Sequence, residues 1–390
     1  MKILHICLGG GWSENNAYQD QLLPRYHRRL GHEVTIIASY YGKWDMRTNT
    51  YELIKEKERL LSDGIKLIRV KPLLPQILNT HVHLFSGLRR YVEKEQPDFI
   101  FIHDVESPNY IFARKYKIKH PSVKIVCDNH SDFVNSQHHW TTKLWTRIIV
   151  KNFIVQRLIP VVEFFYGTTP IRCEYLKQVY LVPQEKVKLL VMGADDDNLF
   201  FEKRDKIASS IRGKYGVQSD DFLIVTGGRI NGQKSKAFLS IAEAISKINV
   251  QKIKLLVFGP LTDEVKSQFD LFPKERVLLV GQVPSNRVYD YFFAADFVIF
   301  PGLHSVLWEQ AVASKVPCAF NYIRGFDHVN INGNCVLMSD NTVKYYKGLI
   351  EKVFNDKDYY NKLNEAAHSD ECDQFWYSHI AQKVLADCFN

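Results

Sequence analysis

The strongest constraint on this chain is a rhythm: apolar runs of strand length keep returning between stretches of helical period. In the first half these runs are Ile3–Leu8, Glu33–Ala38, Lys66–Val70, Phe99–His103 and Lys124–Asp128. In the second they are Phe222–Thr226, Lys254–Phe258, Val277–Val280, Phe297–Phe300 and Pro317–Phe320. Parallel strands need a crossover, usually a helix, and strands covered on both faces read as continuous apolar runs. The order therefore predicts an α/β fold of doubly wound parallel sheets. The rhythm restarts near residue 215, and 390 residues suit two cores of roughly 150–200 residues better than one. Two domains are expected, meeting in the stretch VMGADDDNLF that ends at Phe200. A helix over about Asn15–Leu30, stopped by Gly31 before the second strand, completes the opening strand–helix–strand unit.

Composition narrows the class. Hydrophobic residues at 46% and charged residues at 24% are ordinary for a packed globular chain and exclude disorder. The start, MKILHICLGGGW, breaks into glycines and reads as a first strand rather than a signal peptide. The most apolar longer stretch, Ile148 to Phe165, is interrupted by Lys151, Asn152, Gln156, Arg157 and Glu163, so no membrane span is predicted and a cytoplasmic protein is expected. Seven scattered cysteines form no CxxC pair, which supports neither a disulfide framework nor a zinc site.

The net charge of +8 sits unevenly: residues 1–190 hold 28 Lys and Arg against 18 Asp and Glu, and residues 191–390 hold 23 against 25. A basic N-terminal half fits a surface facing anionic lipid or a phosphate-bearing acceptor. No nucleic-acid-binding motif accompanies that charge, so nucleic acid is not an expected partner. From His138 to Pro160, Trp140, Trp145 and Phe153 interleave with Lys143, Arg147, Lys151 and Arg157. Such a helix either lies on an anionic membrane interface or is a core helix with a basic solvent face.

Candidate chemistry gathers at the ends of expected strands. Gly9, Gly10 and Gly11 follow the first strand, where bare backbone N–H groups let an anion approach, or where the turn merely needs glycine. Gly227, Gly228, Arg229 and Lys234 follow the first strand of the second half; two cations beside a helix start would grip a diphosphate and stabilise charge on a departing nucleoside diphosphate. Glu309 lies at a strand-to-helix turn where a carboxylate can accept the hydroxyls of a ribose. His130 stands just past a strand end, placed for a sugar hydroxyl or a proton; His103 with Asp104 is its rival, or a structural pair. Asp195, Asp196 and Asp197 invite a metal, but their place in the linker, away from the strand mouths, argues against one.

Together these segments resemble the retaining glycosyltransferases of family 4, over nearly the whole chain. The resembling stretches are Leu30–Ile37, Gly167-Thr-Thr-Pro170, Gly193-Ala-Asp195 through Phe200, and the pair Arg229 and Lys234 five apart. Gly281-Gln-Val-Pro284, Tyr289 through Asp296, Pro301, and Phe375-Trp376 complete the set. The resemblance implies the GT-B fold: two Rossmann-like domains facing a cleft, with residues 1–195 binding acceptor, 196–372 binding the nucleotide sugar, and a helix over 373–390 returning to the first domain. It implies that His130 contacts the donor sugar, Arg229 and Lys234 hold the diphosphate, Gly10, Gly11 and Gly228 lie near the phosphates, Gln282 and Val283 near the base, and Glu309 on the ribose. The family usually carries two glutamates eight apart; here position 301 is Pro, only Glu309 remains, and His304, Ser305 and Val306 fill the shortened turn.

The implied activity is metal-independent transfer with retention. The donor is a nucleotide sugar, UDP-linked first and GDP-linked second, with no tightly bound cofactor. The acceptor is a glycan or polyprenyl-diphosphate-linked glycan in cell-surface polysaccharide synthesis, at the membrane's inner face. Two alternatives stand beside it: a sugar-nucleotide epimerase of the same fold, and a degenerate subunit that binds without turnover.

Overall fold

A computed structural model describes the chain except residues 15, 16, 46, 47, 49, 137–139, 231, 233, 234 and 390, and the side chains of residues 141 and 142. Two compact units emerge: residues 1–192 with 380–390, and residues 193–379. All ten expected apolar runs are strands, each end within one residue of its expected place.

Unit 1 contains β1 (Lys2–Cys7), β2 (Glu33–Ser39), β3 (Tyr41–Asp45), β4 (Thr50–Leu53), β5 (Glu58–Leu60), β6 (Lys66–Val70), β7 (Phe99–His103), β8 (Lys124–Asn129), β9 (Phe164–Gly167) and β10 (Val187–Leu189). Eight of them form one sheet in the order β10-β9-β8-β7-β1-β2-β6-β5, and β3 and β4 pair as a separate hairpin. Only the edge strand β5 runs antiparallel within the large sheet. β1 and β7 at its centre are buried along nearly their whole length, as a sheet covered by helices on both faces requires.

The first helix runs Gln19–Arg29, not from Asn15; Tyr18 precedes it in extended backbone, and Asn15 and Asn16 lie outside the described residues. Pro24 sits inside this helix and cannot donate to the carbonyl four residues back. That carbonyl, of Asp20, instead accepts from Trp12 Nε1 at 3.1 Å and Cys7 Sγ at 3.7 Å. The proline is tolerated because the opening loop satisfies the oxygen it orphans. The last helix, Tyr377–Phe389, supplies residues 380–389 to unit 1, where Asp387 accepts from Tyr166 at 2.9 Å and Lys188 at 2.8 Å.

Unit 2 contains β11 (Phe222–Gly227), β12 (Ile253–Phe258), β13 (Val277–Gly281), β14 (Phe297–Phe300), β15 (Cys318–Asn321) and β16 (Cys335–Met338). They form one all-parallel sheet in the order β13-β12-β11-β14-β15-β16. All seven cysteines are free, five of them buried.

Candidate functional site

In unit 2 the strand order reverses between β11 and β14, and ligands of open α/β sheets gather outside the strand ends at such a reversal. Gly228 (φ 122°) and Gly259 (φ 116°) directly follow β11 and β12 and lie so close that a Cβ on Gly259 would stand 1.9 Å from the Gly228 carbonyl oxygen. A Cβ on Gly228 would meet Leu307 at 3.4 Å, so the glycine loop adjoins the helix Leu307–Ala313 that bears Glu309. Arg229 is exposed beside it. Lys234 lies outside the described residues; the helix Ser235–Ser246 follows it. Gln282, exposed, and Val283 follow β13, whose terminal Gly281 carbonyl accepts from the N–H of Gly259 at 2.7 Å.

Glu309 is wholly buried, and its Oε1 accepts from two imidazoles, His304 Nε2 at 2.7 Å and His328 Nε2 at 2.9 Å. Its Oε2 is buried and has no hydrogen-bond partner among the described residues. Burial pushes this carboxyl up, but the charges and hydrogen bonds of His304 and His328 outweigh it and leave it well below the usual carboxylate range. His304 is held edge-on to Trp308 at 5.3 Å and against Phe326 at 4.8 Å, and Trp308 stacks on Phe320. Sequence reasoning placed His304 and Ser305 together in the shortened turn, and the structure turns His304 onto Glu309; Ser305 is the exposed polar group left there.

His328 was missed altogether. The available signal was its position beyond the end of β15, next to the strand reversal. With Glu309 and His304 it forms the group of ligand-type side chains, among the described residues, whose donor atoms lie within 4.8 Å of one another. Ligands on one zinc at about 2.0–2.1 Å stand roughly 3.3 Å apart in tetrahedral geometry, and a metal-bound histidine usually donates through its other nitrogen. The 2.7 and 2.9 Å separations and the unpartnered Nδ1 of His328 are those of a hydrogen-bonded carboxylate. In the linker, Asp195 accepts from Asn198 at 2.7 Å and Asp196 from the N–H of Ser378 at 3.1 Å.

In unit 1 the reversal falls between β1 and β7. Gly11 beyond β1 is pressed against the β3–β4 hairpin, where a Cβ would lie 1.9 Å from the Gly42 oxygen; Gly10 has room, with Tyr51 at 3.7 Å. Beyond β7, Asp104 has left-handed backbone (φ 65°), and its N–H donates to Asp128 Oδ1 at 2.6 Å. The Oδ1 of Asp104 is buried without a partner. Burial and then the neighbouring Glu106 push its carboxyl up to about 8, and burial pushes Asp20 up to about 6. Glu106, also raised by burial, accepts from Ser131 and from Tyr180 at 3.3 Å.

His130 sits with Nε2 3.5 Å from Asp128 Oδ1 and Nδ1 3.3 Å from the Tyr18 hydroxyl. Burial draws its pKa down, but the Asp128 carboxylate outweighs that and the net shift is upward. The strand mouth thus brings His130 and the rival pair His103 and Asp104 into one cluster about Asp128. Sequence reasoning named Asp128 only in passing and missed Asp20, Glu106 and Tyr18, which adjoin the mouth only once the chain is folded.

The basic segment is helical over Trp140–Leu158 with a central π-helical turn run, Trp145–Val155. Trp140, Leu144, Ile148 and Phe153 are exposed alongside Lys143, Arg147 and Arg157; His138 and His139 lie outside the described residues. Among the described residues no helix is long and apolar enough to cross a membrane.

Residues 21–198 match the profile of Glycosyltransferase Family 4, and residues 208–370 match that of Glycosyl transferases group 1. The chain belongs to the group 1 glycosyltransferases. Among curated proteins this glycosyltransferase chain is 22% identical over 225 residues to the uncharacterized glycosyltransferase MJ1607 of Methanocaldococcus jannaschii, a match covering 54% of this chain and 56% of the relative. The chain thus spans little more than half of that relative's length. Among solved structures it is similar to a glycosyltransferase from Rickettsia africae (TM-score 0.69, 17% identity, 99% of this chain and 97% of that one). It is similar also to Anabaena Alr3699/HepE in complex with UDP (0.67, 13%, 99% of each) and to UDP-GlcNAc 2-epimerase from Neisseria meningitidis bound to UDP-GlcNAc (0.63, 13%, 99% of each). These likenesses make the fold GT-B.

Proposed function

We propose that this glycosyltransferase moves a sugar from a nucleoside-diphosphate sugar, UDP-linked before GDP-linked, to a hydroxyl of a glycan or lipid-linked glycan, with retention and without a metal. The observation that carries the reading is the junction of the β11 glycine loop with the Glu309 helix at the strand reversal of unit 2. Arg229, with Lys234 by its spacing, neutralises the departing diphosphate, where fixed charge stabilises the transition state more than the ground state. The free Oε2 of Glu309 accepts a ribose hydroxyl. Because Glu309 is closed to solvent, that contact requires the turn over residues 301–306 to shift on binding. Gln282 and Val283 lie against the base, Ser305 and Val306 against the donor's sugar end, and Gly10 and Gly11 near the phosphates. His130 meets a sugar hydroxyl.

The mouth of unit 1 suits that partner. Asp104, held neutral up to about pH 8, both donates and accepts, as sugar hydroxyls do. An acid–base group of this kind also serves an epimerase, and incubation with nucleotide sugar but no acceptor separates the two readings by their product. The exposed aromatic and basic side chains of the Trp140–Leu158 helix support acceptor delivery at an anionic membrane face, in polysaccharide assembly.

The test is thermal stabilisation by a panel of nucleoside diphosphates, with Mg²⁺ or EDTA. A ligand at ~100 Kd adds about 2.7 kcal/mol to the folded state. A shift for one base that survives EDTA and weakens in Arg229→Ala supports the reading. No shift with any nucleotide, or unchanged turnover in Arg229→Ala and Lys234→Ala, would overturn it in favour of a subunit that does not turn over.

A further inference from the structure

Three histidines stand in line inside unit 1. His27, on the first helix, lies with Nε2 3.3 Å from the Ala381 carbonyl oxygen and Nδ1 2.9 Å from His5 Nε2. His5, on β1, lies with Nδ1 3.0 Å from His103 Nε2. His103, at the end of β7, turns its Nδ1 toward Asp128 Oδ2 at 3.3 Å. All three rings are buried, His5 and His27 completely, and Asp128 is wholly buried too. The last contact has ion-pair distance without hydrogen-bond alignment, and neither atom has another hydrogen-bond partner. Six ring nitrogens are thus used in four contacts, and both ends of the line, a carbonyl and a carboxylate, can only accept.

Three of the contacts are hydrogen bonds that each take one proton, and in the fourth a bare imidazole lone pair set against a carboxylate away from water is repelled unless a proton stands on the ring. Three neutral imidazoles supply three protons for four contacts. Starting from the fixed end, His27 must donate Nε2–H to Ala381 and so accept at Nδ1 from His5. His5 then accepts at Nδ1 from His103, and the ring of His103 still faces a carboxylate with its other nitrogen. Burial and the neighbouring imidazoles hold His5 and His27 well below the usual histidine range, so neither takes the fourth proton. Asp128, drawn well below the usual carboxylate range by His130 and His103 against the opposing effect of burial, does not take it either.

We propose that the line His27, His5, His103 holds one trapped proton on the ring beside Asp128, and that this fixed imidazolium keeps Asp128 an anion aimed at His130, making His5, His27 and His103 positioning residues for the unit 1 site. Asp128 Oδ1 takes the Asp104 N–H and faces His130 Nε2, and Oδ2 faces His103. With Oδ2 neutralised from the sheet side, the carboxylate is fixed in orientation. It selects the His130 tautomer that carries Nε2–H and leaves Nδ1 toward the Tyr18 hydroxyl. The other titratable groups acting on the line are Asp20 on His103 and Asp128, Asp104, His130, Tyr18, Tyr110, Cys7 and Cys127 on Asp128, and His32 on His27. The line ends at a backbone carbonyl of the last helix, so it stores a proton rather than conducting one.

The role in turnover rests on the transferase reading; the proton count does not. The experiment is long-range ¹H–¹⁵N correlation of ¹⁵N-histidine-labelled full-length protein at pH 8.5, with rings assigned by single His→Gln substitution. The expected spectrum has one imidazolium among the three rings and two neutral rings carrying Nε2–H. Three neutral rings in the unsubstituted protein would overturn the proposal whatever the enzyme does. His5→Phe, or His27→Phe if that variant fails to fold, removes one link and with it the need for the extra proton. The imidazolium signal should disappear, while His5→Gln, which keeps a donor and an acceptor, should retain it.

Turnover, followed as release of nucleoside diphosphate, should fall about tenfold in His5→Phe and recover in His5→Gln, with Kd for the nucleotide unchanged. Unchanged turnover in His5→Phe, or an equal loss of nucleotide affinity, would overturn the positioning role. If no nucleotide binds the unsubstituted protein at all, the transferase reading has failed while the proton count stands on its spectrum.

Discussion

The imidazole Nε2 of His304 lies 2.7 Å from Oε1 of Glu309, five residues along one strand-to-helix turn, in a place where neither side chain meets solvent. The carboxylate is ionised because His304 and His328 compensate its burial, so its folded pKa lies below the ordinary 4.5. A depressed pKa contributes stability that is present above pH 4.5 and is lost as pH falls below it. His304→Ala removes one donor and opens a gap between Trp308 and Phe326. It should cost about 2–3 kcal/mol at pH 7, and less at pH 3, where the carboxylate is partly protonated on unfolding. Urea melts at both pH values check this; an equal cost at both would mean that packing alone is at stake.

Asp104 behaves in the opposite sense. Its folded pKa of about 8 stands above the ordinary 3.8, so the fold favours the protonated acid: the contribution is complete below about pH 3.8 and is lost as pH rises through 8. Asp104→Asn keeps a side chain that tolerates left-handed backbone and removes the ionisation. We expect the variant to gain about 1–3 kcal/mol over the parent at pH 8.5, with little difference at pH 4. Asp104→Val should be about 1–3 kcal/mol less stable than Asp104→Asn at both pH values, from strain at φ 65°.

Those two carboxyls mark how far the sequence reaches. The ten strands were legible because buried parallel strands advertise themselves as unbroken apolar runs, and the glycine loops because strand ends need them. The hairpin β3–β4, the short inner strand β9 and the edge strands β5, β10 and β16 were not, since short or half-exposed strands carry no such run. Glu309 was found by its place in the turn, but its burial between two imidazoles was not. His328 lies 19 residues on and reaches Glu309 only through the parallel pairing of β14 with β15. Likewise His5, His27 and His103 come from three separate elements, and no spacing in the chain foretells their alignment.

If the Trp140–Leu158 helix meets an anionic membrane, replacing Lys143, Arg147, Lys151 and Arg157 by Ala should weaken vesicle binding strongly. At about 1 kcal/mol per basic residue near the surface, loss of all four amounts to roughly a thousandfold in partition at low salt. Co-sedimentation with phosphatidylserine-containing and neutral vesicles at rising NaCl measures it. Binding that ignores salt and lipid charge would leave the helix as a solvent face. Trp140→Ala, at the most exposed aromatic of the segment, should weaken binding without changing its salt slope, because it removes apolar contact rather than charge.

Gly259 tests the nucleotide loop without touching any charged residue. It follows the last residue of β12 with φ 116°, a conformation that residues with a Cβ rarely hold, and the Cβ of an alanine would sit 1.9 Å from the Gly228 oxygen. Both the strain and the overlap must be relieved by moving one strand end away from the other. The hydrogen bond from the Gly228 N–H to the Phe258 oxygen, 3.1 Å, should break in the process. Gly259→Ala is therefore expected to cost about 2–4 kcal/mol of stability and to displace Arg229 from its place beside the Glu309 helix. At a temperature where the variant is still folded, nucleoside diphosphate should no longer raise its Tm. The comparison is Gly213→Ala, on an exposed part of the helix Arg204–Lys214 where a Cβ meets nothing. That change should raise stability by about 0.5–1 kcal/mol and leave the nucleotide shift intact. If Gly259→Ala binds nucleotide as tightly as its parent, the junction of β11 and β12 does not form the phosphate site, and Arg229 loses its assigned role with it.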